Sequence, residues 1–310
     1  MKKLVFGATG LLGSAFMRKY PTAIGLSSKD INCLSQSSIA DWFSNNLMLF
    51  EDEVDVFLCM GKVAGIKGQN DLDMMTENAL MALNMLTALA TFLKKGRVIY
   101  FSSSCVYPRG IVHPLKPEDL LKAPPERSNE GYALAKIIGT KFIEYMNDDR
   151  FYCVVPPNLC GPNDNWDSTT SHVLQSMVRK ICDAKDTDTP TITFWGDPSV
   201  RREYLYVDDL VDGVECFIQN TRRKSENPRV VHIGYGADFT LSSWAHMVAN
   251  RANYHGIIEF DGSHSGNPRK LLDISYMRFK LDWRSKYTVF GIVDNLIKDY
   301  MEWKMQQKNI

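Results

Sequence analysis

Residues 3–13 read Lys3-Leu4-Val5-Phe6-Gly7-Ala8-Thr9-Gly10-Leu11-Leu12-Gly13. A short apolar run, a turn with glycine at every third position and a helical pattern over residues 11–20 follow one another without a break. The first glycine permits a tight turn, the second lets backbone approach a diphosphate, and the third lets the helix pack closely on the strand. Gly7, Thr9, Gly10, Leu11, Leu12 and Gly13 are therefore candidate cofactor-binding residues, with the first N–H groups of the helix aimed at a pyrophosphate. A glycine-rich turn alone is a weak motif. Its weight here comes from standing between the first strand and first helix of a chain that continues as alternating strands and helices.

Working outward, apolar runs at 22–26, 54–60, 97–102 and 151–155 read as strands. Between them, 37–47, 73–94 and 130–146 read as helices, the second ended by Lys94-Lys95-Gly96. Continuous apolar strands alternating with helices predict a parallel sheet covered on both faces, an α/β doubly wound Rossmann-type fold. After about residue 164 the alternation loosens. A helix at 171–184, a strand at 192–195 and a helix at 288–306 suggest a smaller C-terminal lobe, while a helix at 208–219 and a strand at 230–234 suggest a return to the sheet. The expected division is 1–165 with 203–238 for the dinucleotide domain, and 166–202 with 239–310 for the substrate-binding lobe. The ligand is expected in the cleft between them.

NAD-specific folds of this type carry an acidic residue about 20 positions after the glycine turn, for the ribose 2′-hydroxyl. Here the second strand ends in Leu26-Ser27-Ser28-Lys29. Ser27, Ser28 and Lys29 offer two hydroxyls and an ammonium to a 2′-phosphate, which predicts NADPH. Asp30, one residue on, keeps NAD open as the alternative.

Tyr132-Ala133-Leu134-Ala135-Lys136 places Tyr132 and Lys136 one helical turn apart on one face. A free phenol titrates near 10, and a neighbouring ammonium is expected to lower it toward useful acid–base work. The pattern is common on helix surfaces; the glycine turn upstream makes it a catalytic candidate. Between them lies Phe101-Ser102-Ser103-Ser104-Cys105-Val106-Tyr107-Pro108, at a strand end facing the ligand crevice. Ser103 is expected to hold a substrate carbonyl oxygen as charge develops on it, and Ser102 and Ser104 to shape the turn.

The 36 basic and 36 acidic residues cancel, so no basic field for nucleic acid or anionic lipid is expected. The seven scattered cysteines contain no C-x-x-C, which argues for a reducing compartment and against a structural metal. No segment approaches a membrane span, and residues 1–3 lead into the glycine turn without a signal-peptide pattern. A cytoplasmic protein without bound metal is the expectation.

With these residues in place, the chain resembles the extended short-chain dehydrogenase/reductase family, which includes the nucleotide-sugar epimerases and dehydratases and uses G-x-x-G-x-x-G. Dehydratases of that family typically carry Asp-Glu before V-Y, and hexose 4-epimerases threonine; here Cys105 stands there. Ser103-Ser104-Cys105-Val106-Tyr107-Pro108 resembles the GDP-L-fucose synthase branch. So do Gly61-Lys62-Val63-Ala64-Gly65-Ile66, Asn129-Glu130-Gly131-Tyr132-Ala133-Leu134-Ala135-Lys136, Pro157-Asn158-Leu159-Cys160-Gly161-Pro162, Ser171-His172-Val173, Arg202-Glu203-Tyr204-Leu205-Tyr206-Val207-Asp208-Asp209 and Pro268-Arg269-Lys270-Leu271-Leu272-Asp273. The likeness runs from residue 1 to about 285. Departures are Pro157, Cys160, Asn163 and Trp166, which put the sugar more in question than the chemistry.

The resemblance implies a bifunctional 3,5-epimerase and 4-reductase acting on a GDP-linked 4-keto-6-deoxyhexose. In the family a cysteine acts as base and a histidine as acid, which maps onto Cys105 and His172. Tyr132, Lys136 and Ser103 would serve the reduction. Asn158, Arg179, Lys180, Trp195, Arg202 and Lys270 are the substrate-binding candidates, the cations for the diphosphate. Relatives pair two long helices across a two-fold axis, so a homodimer is expected through Met74, Met75, Leu80, Met81, Leu83, Met85 and Leu86. Other GDP-4-keto sugars, of the colitose or 6-deoxyheptose type, are the closest alternatives. A catalytically silent NADP-binding regulator would normally lack the tyrosine, lysine or serine, and all three are present.

Overall fold

The computed structural model describes residues 1–63, 72–220, 227–263 and 266–308. The first part of the chain runs β1 (Lys2–Phe6), α1 (Leu11–Lys19), β2 (Ile24–Leu26), α2 (Gln36–Asn45), β3 (Val54–Leu58), α3 (Leu72–Phe92), β4 (Gly96–Phe101), α4 (Glu130–Met146) and β5 (Phe151–Val155). Then follow β6 (Asn158–Cys160), α5 (Val173–Asp186), β7 (Thr191–Phe194), β8 (Arg201–Arg202), β9 (Tyr204–Tyr206), α6 (Val207–Asn220) and β10 (Val230–His232). The remainder is β11 (Phe239–Thr240), α7 (Leu241–Ala252), β12 (Ile257–Phe260), β13 (Arg269–Lys270) and α8 (Val289–Lys308).

Six strands form one parallel sheet in the order β2-β1-β3-β4-β5-β10. The chain leaves β1 toward β2 on one side and resumes at β3 on the other. This reversal opens a crevice at the carboxyl ends of β1 and β3.

Alternation along the strands feeds two cores. Leu4, Phe6, Val98, Tyr100, Phe151, Cys153 and Val155 pack on one face with Met85, Leu86 and Leu89 of α3. Val5, Ile99, Phe101, Tyr152 and Val154 pack on the other with Phe16 of α1 and Leu210, Val214 and Phe217 of α6. Each fully buried side chain of this kind contributes about 1.5–3 kcal/mol before entropy is charged against it. Strand β2 is shorter than the apolar run at 22–26 suggested, because it is an edge strand with Ile24 and Gly25 exposed.

A third core joins α5, α7 and α8. It includes Leu174, Val178 and Ile181 of α5, Trp244 and Val248 of α7, and Ile292, Leu296 and Tyr300 of α8. Helix α7 begins at Thr240, whose side chain accepts the Ser243 N–H, and buries Leu241, Trp244, Ala245, Val248, Ala249 and Ala252 at helical spacing. Two small sheets bridge the parts of the chain. Strand β6 pairs with β9, and β8 lies between β11 and β13.

Candidate active site

The glycine turn sits at the reversal of strand order. Gly7 has φ +81°, and a Cβ there would lie 2.7 Å from Met60 N at the end of β3. A Cβ on Gly13 would lie 2.0 Å from the Gly7 carbonyl oxygen. Both positions accept only glycine without rebuilding the turn. Gly10 is the N-cap of α1 and no side chain caps that end, so the first-turn N–H groups face outward between half-buried Leu11 and Leu12 and exposed Thr9. Such a terminus favours an anion. At the end of β2, Ser28 and Lys29 are exposed. Asp30 accepts the Ser27 N–H and hydroxyl at 2.8 Å each, which holds its carboxyl below the usual range and ties it into its own turn. These residues fit a dinucleotide.

Ser103, Tyr132 and Lys136 come from the end of β4 and the first turns of α4. Lys136 is buried, its ammonium donates to the Phe101 carbonyl at 2.9 Å, and it lies 5.8 Å from the centroid of the Tyr132 ring. Burial pushes Lys136 down to about 8. Burial, followed by the charge of Cys105, raises the Tyr132 phenol above its ordinary value. Here burial dominates and the Lys136 ammonium bonds the Phe101 carbonyl; the lowering expected from Lys136 includes the help of a positively charged nicotinamide. Ser103 Oγ accepts the Cys105 N–H at 3.2 Å, which leaves its own O–H to donate. Ser102 Oγ accepts from Thr140 of α4 at 2.9 Å, and the Ser104 N–H donates to the Pro156 carbonyl at 3.0 Å.

Asn78 was not anticipated. It is buried on the apolar stripe of α3 and grips Lys62, accepting its N–H at 2.9 Å and donating to its carbonyl at 3.0 Å. That contact fixes the end of β3 beside Lys136. A polar residue on the stripe defined by Met74, Ala82, Met85 and Leu89 was the available signal. Of the 61–66 motif, residues 64–66 lie outside the described residues.

Cys105 faces cations from two neighbouring strands. Lys270 of β13 places Nζ 3.3 Å from Cys105 Sγ, and Lys270 is opposite Arg202 in the β13–β8 register. Burial alone would raise the thiol, but the Lys270 charge and hydrogen bond, the Ser103 hydroxyl and the Arg202 charge outweigh it, so Cys105 is held below the ordinary thiol value. His172 is the N-cap of α5, and its side chain makes no cap bond. Burial, with the Lys270 charge, lowers its imidazole. Thus Ser103, Cys105, Arg202 and Lys270 are assembled as one cluster, with Lys270 acting electrostatically on His172 as well.

Other candidates are engaged elsewhere. Arg179 donates to the Trp166 carbonyl at 2.8 Å and approaches Asp183 at 3.7 Å along its own helix. Lys180 is exposed, 3.5 Å from the Thr193 carbonyl and over the Phe194 ring. Asn158 donates to the Glu203 carbonyl at 3.2 Å, tying β6 to the β8–β9 segment. Trp195, just after β7, is about half exposed at 48%. Arg202 is anchored through Nη1 to the Arg201 and Asn267 carbonyls. Two departures from the family pattern were expected to bear on the sugar. Cys160 and Trp166 are instead buried in the third core, where Trp166 packs on Tyr300.

A parallel doubly wound sheet with a glycine turn at the reversal point, and a serine, tyrosine and lysine beside it, defines an oxidoreductase of the short-chain dehydrogenase type. Residues 3–234 match the family model described as the NAD dependent epimerase/dehydratase family. The chain is 31% identical to GDP-L-fucose synthase of Escherichia coli (strain K12), over 99% of this chain and 98% of that one. It is 30% identical to GDP-L-colitose synthase of Yersinia pseudotuberculosis, over 92% and 93%. Among solved structures, a GDP-D-glycero-L-gluco-heptose synthase from Campylobacter jejuni superposes with a TM-score of 0.82 at 23% identity, covering 97% of this chain and 98% of that one. The chain belongs to the NAD-dependent epimerase/dehydratase family, in its GDP-L-fucose synthase branch. It is an enzyme of that family, and no described helix is long and apolar enough to cross a membrane.

Proposed function

We propose that the chain converts GDP-4-keto-6-deoxy-D-mannose to GDP-L-fucose, inverting C3 and C5 and then reducing C4 with NADPH. The observation that carries this reading is the Cys105 thiol, lowered by Lys270 and standing beside the residues expected for reduction. A simple ketone reductase has no use for such a thiol.

A C4 ketone acidifies the protons on C3 and C5. Cys105 would remove a proton from carbon, Ser103 would donate a hydrogen bond to the C4 oxygen of the resulting enolate, and His172 would return a proton on the other face. Bound NADPH would supply the hydride for C4. Tyr132 would then give its proton to the C4 oxygen, and Lys136, with its ammonium poised at about 8, would stabilise the phenolate left behind. Gly7, Thr9, Gly10, Leu11, Leu12 and Gly13 would hold the pyrophosphate of the cofactor, and Ser27, Ser28 and Lys29 its 2′-phosphate. On the substrate, Arg202, Lys270, Arg179 and Lys180 are the cations proposed for the GDP diphosphate, with Asn158 and Trp195 as further contacts; Arg179, Lys180 and Asn158 would have to leave the carbonyl groups they bond here.

The seven free thiols suit a reducing compartment such as the cytoplasm. The exposed apolar residues Leu80 of α3 and Leu134, Ile138 and Tyr145 of α4 suit a homodimer. The likeness to a GDP-L-colitose synthase supports a second reading, in which the same groups act on another GDP-4-keto sugar. The test is incubation with NADPH and GDP-4-keto-6-deoxy-D-mannose. NADPH absorbance should fall, and the product's NMR spectrum should show inversion at C3 and C5. Unchanged absorbance would defeat the proposal for this sugar.

A further inference from the structure

Lys270 is only 8% exposed, and among the described residues it takes part in no ion pair with a carboxylate. A buried ammonium costs several kcal/mol unless an anion faces it. The group that meets it is the Cys105 sulfur, 3.3 Å away. Around that sulfur, β13 presents Lys270 and β8 presents Arg202. Helix α4 presents Tyr132, a phenol that stays neutral, and the thiol's own turn presents Ser103. From α5, burial and the Lys270 charge lower the His172 imidazole, and it is Lys270, not His172, that meets the sulfur.

The contact is built from both sides. Glu203, fully buried, accepts the Leu272 N–H at 2.9 Å, and the Leu115 and Leu271 backbones pair at 2.8 Å. These bonds fix the course of the segment that carries Lys270. On the thiol side, Tyr107 OH reaches His232 Nε2 at 2.5 Å, while His232 Nδ1 reaches the Asp273 carbonyl at 3.1 Å. A residue two places beyond Cys105 is thereby tied to one three places beyond Lys270.

We propose that Lys270 is a positioning residue whose ammonium keeps Cys105 as a thiolate in the resting enzyme, so that the two form a ready-made base. This rests on the reading of Cys105 as the epimerisation base. In the step itself the thiolate takes the proton from C3 or C5, the C–H electron pair moves into the enolate, and Lys270 keeps its own protons.

The test needs no sugar. Alkylation of Cys105 by iodoacetamide is followed by peptide mass spectrometry across pH 5–10 in the full chain, for the wild type, Lys270→Met and Lys270→Arg. Removing the charge should raise the midpoint by at least about one unit, slowing alkylation about ten-fold at pH values well below the wild-type midpoint, and arginine should restore much of the rate. A Lys270→Met protein with the wild-type midpoint and rate overturns the proposal. A merely structural role would alter the melting temperature and leave the midpoint where it was. Should Lys270→Met not fold, thiolate ultraviolet absorbance of the wild type, less that of Cys105→Ser, gives the midpoint directly. A value well below the ordinary thiol value of about 8.5 supports the pair, and a value at or above it refutes it. A lysine-dependent midpoint without turnover of GDP-4-keto-6-deoxy-D-mannose would sink the substrate reading and leave the pair standing. Turnover with an unmoved midpoint would do the opposite.

Discussion

Lys270 Nζ lies 3.3 Å from Cys105 Sγ, across 165 residues of chain. The two meet because β13 joins the small sheet beside β8 while Cys105 caps the end of the main sheet. Lys136, the other buried lysine, bonds the Phe101 carbonyl in place of the phenol one turn before it. The site therefore uses its two ammonium groups differently from what residue spacing suggests. One is held by backbone next to the phenol, and the other faces the Cys105 sulfur.

Tyr132→Phe removes the hydroxyl that would protonate the C4 oxygen while keeping the ring that shields Lys136. NADPH oxidation with the ketosugar should fall about 10²–10⁴-fold, with cofactor affinity little changed. Steady-state kinetics and a cofactor titration check this. Undiminished turnover would remove Tyr132 as the proton donor.

Asp30 is spent on Ser27, while Lys29 and Ser28 stay exposed at the end of β2. NADPH should therefore give a higher kcat/KM than NADH. Lys29→Glu, which places a carboxylate against the 2′-phosphate, should narrow or reverse the ratio. Equal values for the two cofactors in the wild type would refute the assignment of Ser27, Ser28 and Lys29.

The main sheet was legible because its strands are continuous apolar runs. Helix α4 at Glu130–Met146 and strand β5 at Phe151–Val155 lie where the pattern placed them. The small sheet was not, because β8, β11 and β13 have two residues each and carry no periodic signal. That sheet sets Lys270 beside Arg202, so the electrostatics of Cys105 were out of reach. Helix α7 had a readable cap at Thr240 and helical spacing, yet no motif drew attention to it. Glu203 was visible only as part of a motif. Burial pushes its carboxyl up to about 7, against the backbone bonds it accepts from Tyr235 and Gly236 on one segment and Leu272 on another.

His232 offers a pH test of the brace behind the site. The Asp273 carbonyl can only accept, so Nδ1 carries the proton and Nε2 accepts from Tyr107. Burial pushes the imidazole down to about 4. The folded protein thus binds fewer protons here than the unfolded chain between its ordinary value near 6.5 and about 4. This contribution is fully present above pH 6.5 and is lost as pH falls toward 4, amounting to ~3 kcal/mol. His232→Gln should be less stable at neutral pH and lose less on acidification. Parallel acid-induced losses of denaturant stability in the two proteins would refute it.

Association can be checked by charging the exposed face of α4. Met74, Met85 and Leu86, expected at a subunit interface, are buried within the subunit. Leu134 and Ile138 remain exposed, one turn apart on α4, with Leu80 exposed on α3. Light scattering at micromolar concentration should give a dimer for the wild type and a monomer for Leu134→Glu combined with Ile138→Glu. A monomeric wild type would refute the dimer.

Cys105→Ser separates the two halves of the reaction. A serine hydroxyl cannot serve as an equivalent base near neutrality even beside Lys270, and the change in volume is small. NADPH and the GDP-sugar should still bind, because the glycine turn and Arg202 are untouched. Tyr132, Lys136 and Ser103 also remain, so the variant should reduce the ketone without inverting it, yielding a GDP-6-deoxyhexose that keeps the substrate's configuration at C3 and C5. In deuterated water the wild-type product should carry deuterium at both carbons, and the variant's product should carry none, as read by NMR. Wild-type deuterium at C3 and C5 in the Cys105→Ser product would mean that another group takes those protons. The thiol–lysine contact would then need a different explanation, and His172 would be the first residue to examine as the base.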